Sequence, residues 1–189
     1  MTTKRRYKKT AVFIDRDGVI NKPPEHRYIT RWEEFRFVPG SLQAIRALSR
    51  HEVTLVVVSN QSGVGRGIMS KPQLNEVSRR MLAEIRRAGG KIHAVYYCTH
   101  HPNRNCICRK PHTGMIRKAV KRFGIDLKRS YVIGDSEVDI LMARSAGCGK
   151  ILVLSGRHSR SSAKHLAVQP DRIAKDLRAA AGWILRKLP

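Results

Sequence analysis

The sequence has few acidic residues, few aromatic residues and no long apolar run. Its 189 residues include 14 Asp and Glu against 38 Lys and Arg, a formal net charge of +24. No stretch approaches the roughly 18 consecutive apolar residues of a membrane span, so we expect no membrane partner. Behind the basic residues 4–9, the apolar run Ala11–Ile14 is too short for a signal-peptide core. We therefore expect a cytoplasmic protein.

The positive charge is spread along the whole chain, and such a field attracts polyanions. Aromatic residues make up only 6% of the chain, and only Tyr7 interleaves with a basic cluster, so stacking platforms for single strands are not evident. No helix-turn-helix or RNA-recognition signature is present either. We therefore favour a small phosphorylated substrate over nucleic acid, which stays an alternative partner.

The length fits one domain with a sizeable core. We assign residues 1–10 to a basic N-terminal extension and residues 11–189 to a single domain, and expect a monomer. Strand-like apolar runs are predicted at residues 11–14, 53–59, 94–98, 130–133 and 151–154. Helix-like segments alternate with them, the first capped by Ser41 and the last a basic C-terminal helix. The alternation predicts an α/β fold, a Rossmann-like three-layer α/β/α sandwich with a mostly parallel sheet and no large cap domain.

Polar residues follow the predicted strands, where parallel sheets bind ligands. Asp15 and Asp17 follow the first strand, Ser59 the second and Asp135 the fourth. A positioned carboxylate such as Asp15 can attack a phosphorus atom. Asp17, two residues on in an extended chain, points to the same side and could donate and later accept a proton. The alternatives are turn or cap roles for the aspartates and a loop role for Ser59 and Asn60.

A second cluster lies after the third predicted strand, in the loop from residue 98 to 110. Its spacing matches a structural Zn²⁺ site with four protein ligands, namely Cys98, His100, Cys106 and Cys108. His101 is the alternative imidazole, and reduced loop cysteines without metal are the alternative to zinc. Zinc would rigidify a loop that has few apolar residues, whereas Cys148 is expected to be a small core thiol.

Four motifs, in order along the chain, resemble those of the haloacid dehalogenase superfamily of phosphohydrolases. They are Asp15-Arg16-Asp17-Gly18-Val19, Ser59 to Gly63, Cys108-Arg109-Lys110-Pro111 and Gly134 to Asp139. Residues 60–67 and the loop 98–111 resemble the D-glycero-D-manno-heptose bisphosphate phosphatases and the histidinol-phosphate phosphatases. The loop 22–29 departs from the heptose pattern, since only Tyr28-Ile29 is retained and Pro23-Pro24 resembles the histidinol branch.

The resemblance implies a role for each motif. Asp15 would be the nucleophile and Asp17 the acid and base. Mg²⁺ would be held by the Asp15 carboxylate, the Asp17 main-chain carbonyl and Asp135. The implied phosphate- and substrate-binding residues are Ser59, Asn60, Gln61, Arg66, Arg109 and Lys110. Asp139 is expected either to contact the metal ligands without binding the metal itself or to be an exposed carboxylate.

The implied activity is Mg²⁺-dependent hydrolysis of a small phosphorylated metabolite through an aspartyl-phosphate. A sugar bisphosphate of the heptose type is the preferred substrate. The alternatives are histidinol phosphate, a nucleic-acid 3′-phosphate, or a non-enzymatic role as a basic zinc-containing nucleic-acid-binding module.

Overall fold

A computed structural model of the protein describes residues 9–23 and 28–188, which form a six-stranded parallel sheet with helices on both faces. The strands are β1 (Thr10–Ile14), β2 (Val53–Asn60), β3 (Ala94–Cys98), β4 (Tyr131–Gly134), β5 (Gly149–Val153) and β6 (Arg172–Ala174). The helices are α1 (Ser41–Ser49), α2 (Lys71–Arg87), α3 (Gly114–Phe123), α4 (Glu137–Ala146) and α5 (Leu177–Leu185). The sheet order is β3-β2-β1-β4-β5-β6, with every pairing parallel. The predicted three-layer α/β fold is confirmed.

The central strands are apolar on both faces because helices cover both sides of the sheet. In β1, Val12 and Ile14 pack in the cluster formed with α1, α2 and α5. Ala11 and Phe13 point the other way, into the cluster formed with α3 and α4. Cys148 lies in this second cluster, as expected for a core thiol. The continuous apolar runs therefore supply both halves of the core.

Two local predictions were wrong. Ser41 does not cap α1: the N-cap is Gly40, whose φ of 82° closes a turn in which the Ser41 N–H donates to the Val38 carbonyl at 2.9 Å. Strand β6 was missed, because three residues paired only with β5 at the edge of the sheet give no recognisable alternation. The other elements begin and end within a few residues of their predicted positions.

Some predictions concern residues that the structure does not describe. Residues 1–8 of the basic extension and residues 24–27 of the loop after the first motif lie outside the described ranges. Thr10, placed in the extension on sequence, is the first residue of β1. No helix in the described ranges is long and apolar enough to cross a membrane.

The strand order explains how distant motifs meet. Because β1 lies between β2 and β4, the residues that follow these three strands share one edge of the sheet. Asp15, Asn60 and Asp135 all stand at this carboxyl edge. The sheet thereby brings together residues 120 positions apart in the chain.

Candidate active site

Three aspartates form a buried cluster at the carboxyl edge. Asp15, Asp135 and Asp139 each place a carboxylate oxygen within 4.8 Å of the others. Burial, reinforced by the neighbouring carboxylates, raises the pKa of Asp15 to about 6 and that of Asp135 to about 7. The protein groups around the three carboxylates therefore neutralise only part of their negative charge. Such a set of carboxylate oxygens fits a hard divalent cation.

Lys110 is the cation built into this cluster. Its Nζ lies 2.6 Å from Asp139 Oδ1 and 2.9 Å from Asp15 Oδ1, and it also donates to the Val58 carbonyl at 3.2 Å. Although burial opposes a charged amine, the charges of Asp139 and Asp15 raise the pKa of Lys110 above its usual value. The ammonium therefore stays charged beside Asp15. Asp139 is fully buried, so of the two expectations for it the exposed carboxylate is excluded.

Asp17 is held by a separate set of donors. Arg16 contacts both of its carboxylate oxygens, at 2.9 and 3.0 Å, while Asn21 donates to Oδ1 at 2.9 Å and Gln61 to Oδ2 at 2.7 Å. Burial alone would raise the pKa of Asp17, but the charge of Arg16 and these hydrogen bonds together lower it. Asp17 is therefore ionised in this arrangement.

The residues after β2 divide into two roles. The buried Ser59 lines the cleft beside the aspartates, and its hydroxyl accepts a hydrogen bond from Gln61 at 3.1 Å. Asn60 binds the main chain of Lys110 twice, accepting from its N–H at 3.0 Å and donating to its carbonyl at 3.2 Å. The side chains of Asn60 and Gln61 thus hold Lys110 and Asp17 in place.

The cluster opens into a cleft of about 600 Å³. Three arginines, Arg66, Arg109 and Arg157, line it together with Asp15 and Asp17. The buried Nη1 of Arg109 has no hydrogen-bond partner among the described residues. A buried guanidinium nitrogen without a partner costs free energy, which an anionic ligand in the cleft would recover. The cleft is therefore suited to a phosphorylated ligand.

The loop that carries Arg109 and Lys110 also contains the cysteine cluster. The sulfur atoms of Cys98, Cys106 and Cys108 and Nδ1 of His100 lie 3.2–3.7 Å apart in the pairs that contact. Ligands about 2.0–2.3 Å from a central Zn²⁺ in a tetrahedron would be separated by about 3.5–3.8 Å, so the cluster can bind zinc. Nδ1 of His101 instead accepts from the Asn103 N–H at 3.2 Å, which favours His100 as the ligand.

Comparisons with known proteins agree with this geometry. A family model described as HAD-hydrolase-like matches residues 107–180. The D-glycero-beta-D-manno-heptose-1,7-bisphosphate 7-phosphatase of Bordetella bronchiseptica is 35% identical, over 93% of this chain and 98% of the relative. The chain belongs to this phosphatase family. A Thermosynechococcus vestitus D-glycero-D-manno-heptose-1,7-bisphosphate 7-phosphatase is 39% identical, over 94% of this chain and 96% of the relative.

A solved structure within the heptose bisphosphate phosphatase family has the same fold. The crystal structure of the Bordetella bronchiseptica D,D-heptose 1,7-bisphosphate phosphatase, complexed with magnesium and phosphate, aligns with a TM-score of 0.87 at 34% identity. The alignment covers 95% of this chain and 99% of that chain. The resemblance read from the four motifs is therefore confirmed.

Three residues of this phosphatase-family site were not identified from sequence. Arg16 and Asn21 bind Asp17, and Arg157 lines the cleft while its N–H donates to Asp135 Oδ2 at 3.1 Å. Arg16 could have been found, because a charged residue between two carboxylates at the end of a buried strand needs a partner. Arg157 follows β5 after Gly156, where nothing in the local sequence marks it.

Glycines allow the loops to approach the aspartate cluster closely. Gly18 has a φ of 83°, and a side chain there would collide with the Asp135 carboxylate, as would one at Gly156. Any other residue at Gly18 would face both the backbone strain of a positive φ and this collision. The phosphatase motif therefore requires glycine directly after its second aspartate.

Proposed function

We propose that this chain is a Mg²⁺-dependent phosphatase that cleaves the 7-phosphate of a D-glycero-D-manno-heptose 1,7-bisphosphate through an aspartyl-phosphate on Asp15. The observation that carries the proposal is the contact of Lys110 Nζ with Asp15 Oδ1 at 2.9 Å, beside the two further buried carboxylates of Asp135 and Asp139. This arrangement places a nucleophile, a fixed cation and a set of metal-binding oxygens at the base of one cleft.

In the first step, a carboxylate oxygen of Asp15 attacks the phosphorus atom and the bond to the sugar oxygen breaks. Lys110 stabilises the negative charge on the phosphoryl oxygens, and the Ser59 hydroxyl donates a hydrogen bond to one of them. Mg²⁺ would be held by the Asp15 carboxylate, the Asp17 main-chain carbonyl and Asp135, and would neutralise more of that charge. Asn60 supports the step by fixing the main chain of Lys110.

Asp17 transfers a proton in each of the two steps of the reaction. Its ionised form, maintained by Arg16 and Gln61, is the form that accepts a proton from water when the aspartyl-phosphate is hydrolysed. For the first step Asp17 must carry a proton to the leaving sugar oxygen. A dianionic phosphate entering the cleft raises the pKa of a nearby carboxyl group, so substrate binding favours the protonated form.

The arginines of the cleft support a bisphosphate as the substrate. A monophosphate ester would occupy Lys110 and Ser59, which leaves Arg66, Arg109 and Arg157 facing the remainder of the cleft. Arg109 brings a buried donor without a partner among the described residues. In our proposal one or more of these three side chains binds the second phosphate, and Gln61 acts by positioning Asp17 and Ser59.

The proposed zinc site stabilises the loop that contributes two residues to the cleft. In our proposal Cys98, His100, Cys106 and Cys108 bind Zn²⁺ and hold the loop that presents Arg109 and Lys110. Four protein ligands leave no open position on the metal, so its role is structural. We also propose a single domain at residues 11–189, since one continuous sheet runs from Thr10 to Ala174. The proposed enzyme is a cytoplasmic monomer.

The test is phosphate release with Mg²⁺ from heptose 1,7-bisphosphate, histidinol phosphate and a 3′-phosphorylated oligonucleotide. The highest kcat/KM is expected for the heptose bisphosphate. Asp15→Asn should abolish release because an amide is not a nucleophile, whereas Asp171→Asn, which alters a surface pair with Lys150, should leave the rate unchanged. A higher kcat/KM for either other substrate would overturn the assignment of the heptose. An Asp15→Asn variant as fast as wild type would overturn the mechanism.

A further inference from the structure

A basic groove lies at the amino edge of the sheet, opposite the cleft. It has a volume of about 880 Å³, and it is lined by the starts of β1 and β2 and by the segments that precede β3 and β4. Four cations line it, namely Lys9, Arg50, Lys91 and Arg129. Among the described residues that line the groove, Glu52 is the one acid. The proposed phosphatase reaction uses none of these side chains.

A second set of exposed cations lies on α3. Arg117 and Lys118 recur one turn later as Lys121 and Arg122, so these four cations form one stripe along the helix. The end of α3 adjoins the groove, since the Lys9 N–H donates to the carbonyl of Gly124, directly after α3, at 3.0 Å. The whole segment between Glu84 and Asp126 contains no acidic residue.

The cations of the groove and of α3 are exposed and make no ion pair among the described residues. The eight residues Lys9, Arg50, Lys91, Arg117, Lys118, Lys121, Arg122 and Arg129, which we call the amino-edge surface, are all solvent-exposed. Within residues 9–23 and 28–188, none of the eight lies in an ion pair with a carboxylate. Of the residues that the structure describes, Glu52 is the one acid that lines the groove, so most of the positive charge of this surface is left for anions from solution or from a partner to neutralise.

The frame that carries the surface is fixed by hydrogen bonds between elements. The Lys91 N–H donates to Ser49 Oγ at 2.9 Å, and Nδ1 of His93 accepts from the Leu55 N–H at 3.0 Å. The Asp126 N–H donates to the Lys9 carbonyl at 2.9 Å. A partner would therefore meet a surface whose backbone is already in place, which lowers the entropy lost on binding.

We propose that the amino-edge surface binds the phosphodiester backbone of nucleic acid. A basic groove with a stripe of cations beside it offers several positive charges to the successive phosphates of a strand. Base stacking is not expected, since the eight residues include no aromatic side chain. Binding should therefore depend on backbone charge and little on sequence.

Two other anionic partners fit the surface less well. A lipid bilayer is favoured by exposed apolar anchors. Within the described ranges, the large exposed apolar side chains are Ile68 and Ile107, which belong to loops at the opposite edge of the sheet. An acidic protein would bury apolar area at the centre of its interface, whereas the groove is lined mainly by charged and polar residues.

The test compares two triple variants that each remove three positive charges. Arg50→Gln/Lys91→Gln/Arg129→Gln removes cations of the amino-edge surface, and Lys164→Gln/Lys175→Gln/Arg178→Gln removes three exposed cations elsewhere. Binding of a labelled 20-base-pair duplex is followed by fluorescence anisotropy from low to physiological salt. Poly-glutamate of equal charge serves as the second probe. Phosphatase activity on a small substrate checks that both variants fold, because neither triple touches the cleft.

Wild type is expected to bind the duplex with an affinity that falls steeply with salt. The amino-edge variant should lose about 2.7 from the slope of log K against log salt, since each phosphate contact contributes about 0.9. It should also bind at least about tenfold more weakly at low salt, while the matched control keeps the slope within about 0.5 of wild type. No binding at low salt, equal losses in both variants, or equally tight binding of poly-glutamate would each overturn the proposal.

Discussion

Replacing Lys110 with Met tests the charge balance at the base of the cleft. The substitution keeps most of the apolar stem and removes the ammonium, whose Nζ makes contacts of 2.6 Å with Asp139, 2.9 Å with Asp15 and 3.2 Å with the Val58 carbonyl. Two buried carboxylates then lose their common partner. Removing one member of a buried ion pair costs about 3–5 kcal/mol. For a chain of this length that corresponds to a decrease in Tm of about 6–20 °C.

The effect on catalysis should be at least as large. Loss of one neutral hydrogen-bond donor to a developing oxyanion lowers kcat by about 10²–10³-fold, and Lys110 supplies a full charge. We expect kcat of Lys110→Met to fall by about 10³-fold or more, on that same scale. The assays are initial rates of phosphate release with saturating Mg²⁺ and thermal unfolding in the absence of metal.

Lys118→Met is the matched control. Lys118 is exposed on α3 and unpaired among the described residues, so its replacement should change stability by less than about 0.5 kcal/mol and leave kcat unaltered. A Lys110→Met variant that keeps more than a tenth of the wild-type kcat would refute the assigned role of the ammonium. An unchanged Tm would refute the description of the buried charge cluster.

Three further predictions follow from the same site. Cys106→Ser should reduce bound zinc from about one ion per chain to near zero by elemental analysis and lower kcat; full zinc occupancy would contradict the ligand set. Asp139→Asn should lower stability by about 1.5–3 kcal/mol and reduce kcat, because Lys110 loses its shortest contact; wild-type behaviour in denaturant and kinetics would contradict this. Burial raises the pKa of Asp15 to about 6 and that of Asp135 to about 7, so the metal-free fold binds more protons than the unfolded chain. Its Tm should therefore fall as pH rises from about 4 to 7, and less so with Mg²⁺; a Tm that rises over this range without Mg²⁺ would contradict the shifts. The lowered pKa of Asp17 does not change this sign, since it affects stability only below about pH 4.

The sequence was sufficient to predict which residues meet at the carboxyl edge. Asp15, Ser59 and Asp135 each directly follow an apolar run, and parallel strands must place such residues on the same side of the sheet. The structure adds that β1, β2 and β4 are adjacent, which chain order alone does not determine. The cysteine cluster was equally visible, because its ligand residues lie within eleven positions of one another.

Features that depend on side-chain burial were harder to predict. Asp139 lies one helical turn after Asp135, a spacing equally compatible with solvent or with the cluster, and only the position of Lys110 decides between them. Asn60 and Gln61 were assigned to substrate binding, and the structure adds that their side chains bind Lys110 and Asp17 across more than 40 positions of sequence. Such long-range pairings have no local sequence signal.

The amino-edge surface could not be predicted either, because it also depends on long-range packing. Its cations come from five separate segments, and the chain shows only an even spread of positive charge. The sheet gathers the segments that precede its strands at one edge, as it gathers the catalytic segments at the other. The excess of positive charge in the sequence therefore becomes a localised surface only in the folded protein.

The most direct test of the account is to detect the covalent intermediate on Asp15. In Asp17→Asn the group that accepts a proton from water is absent, while an aryl phosphate needs little protonation of its leaving group, so the phosphoenzyme should accumulate. Acid quenching during turnover followed by peptide mass analysis should find one added phosphoryl group on the peptide that contains Asp15. Unmodified protein throughout measurable turnover, or a phosphoryl group on another residue, would contradict the mechanism.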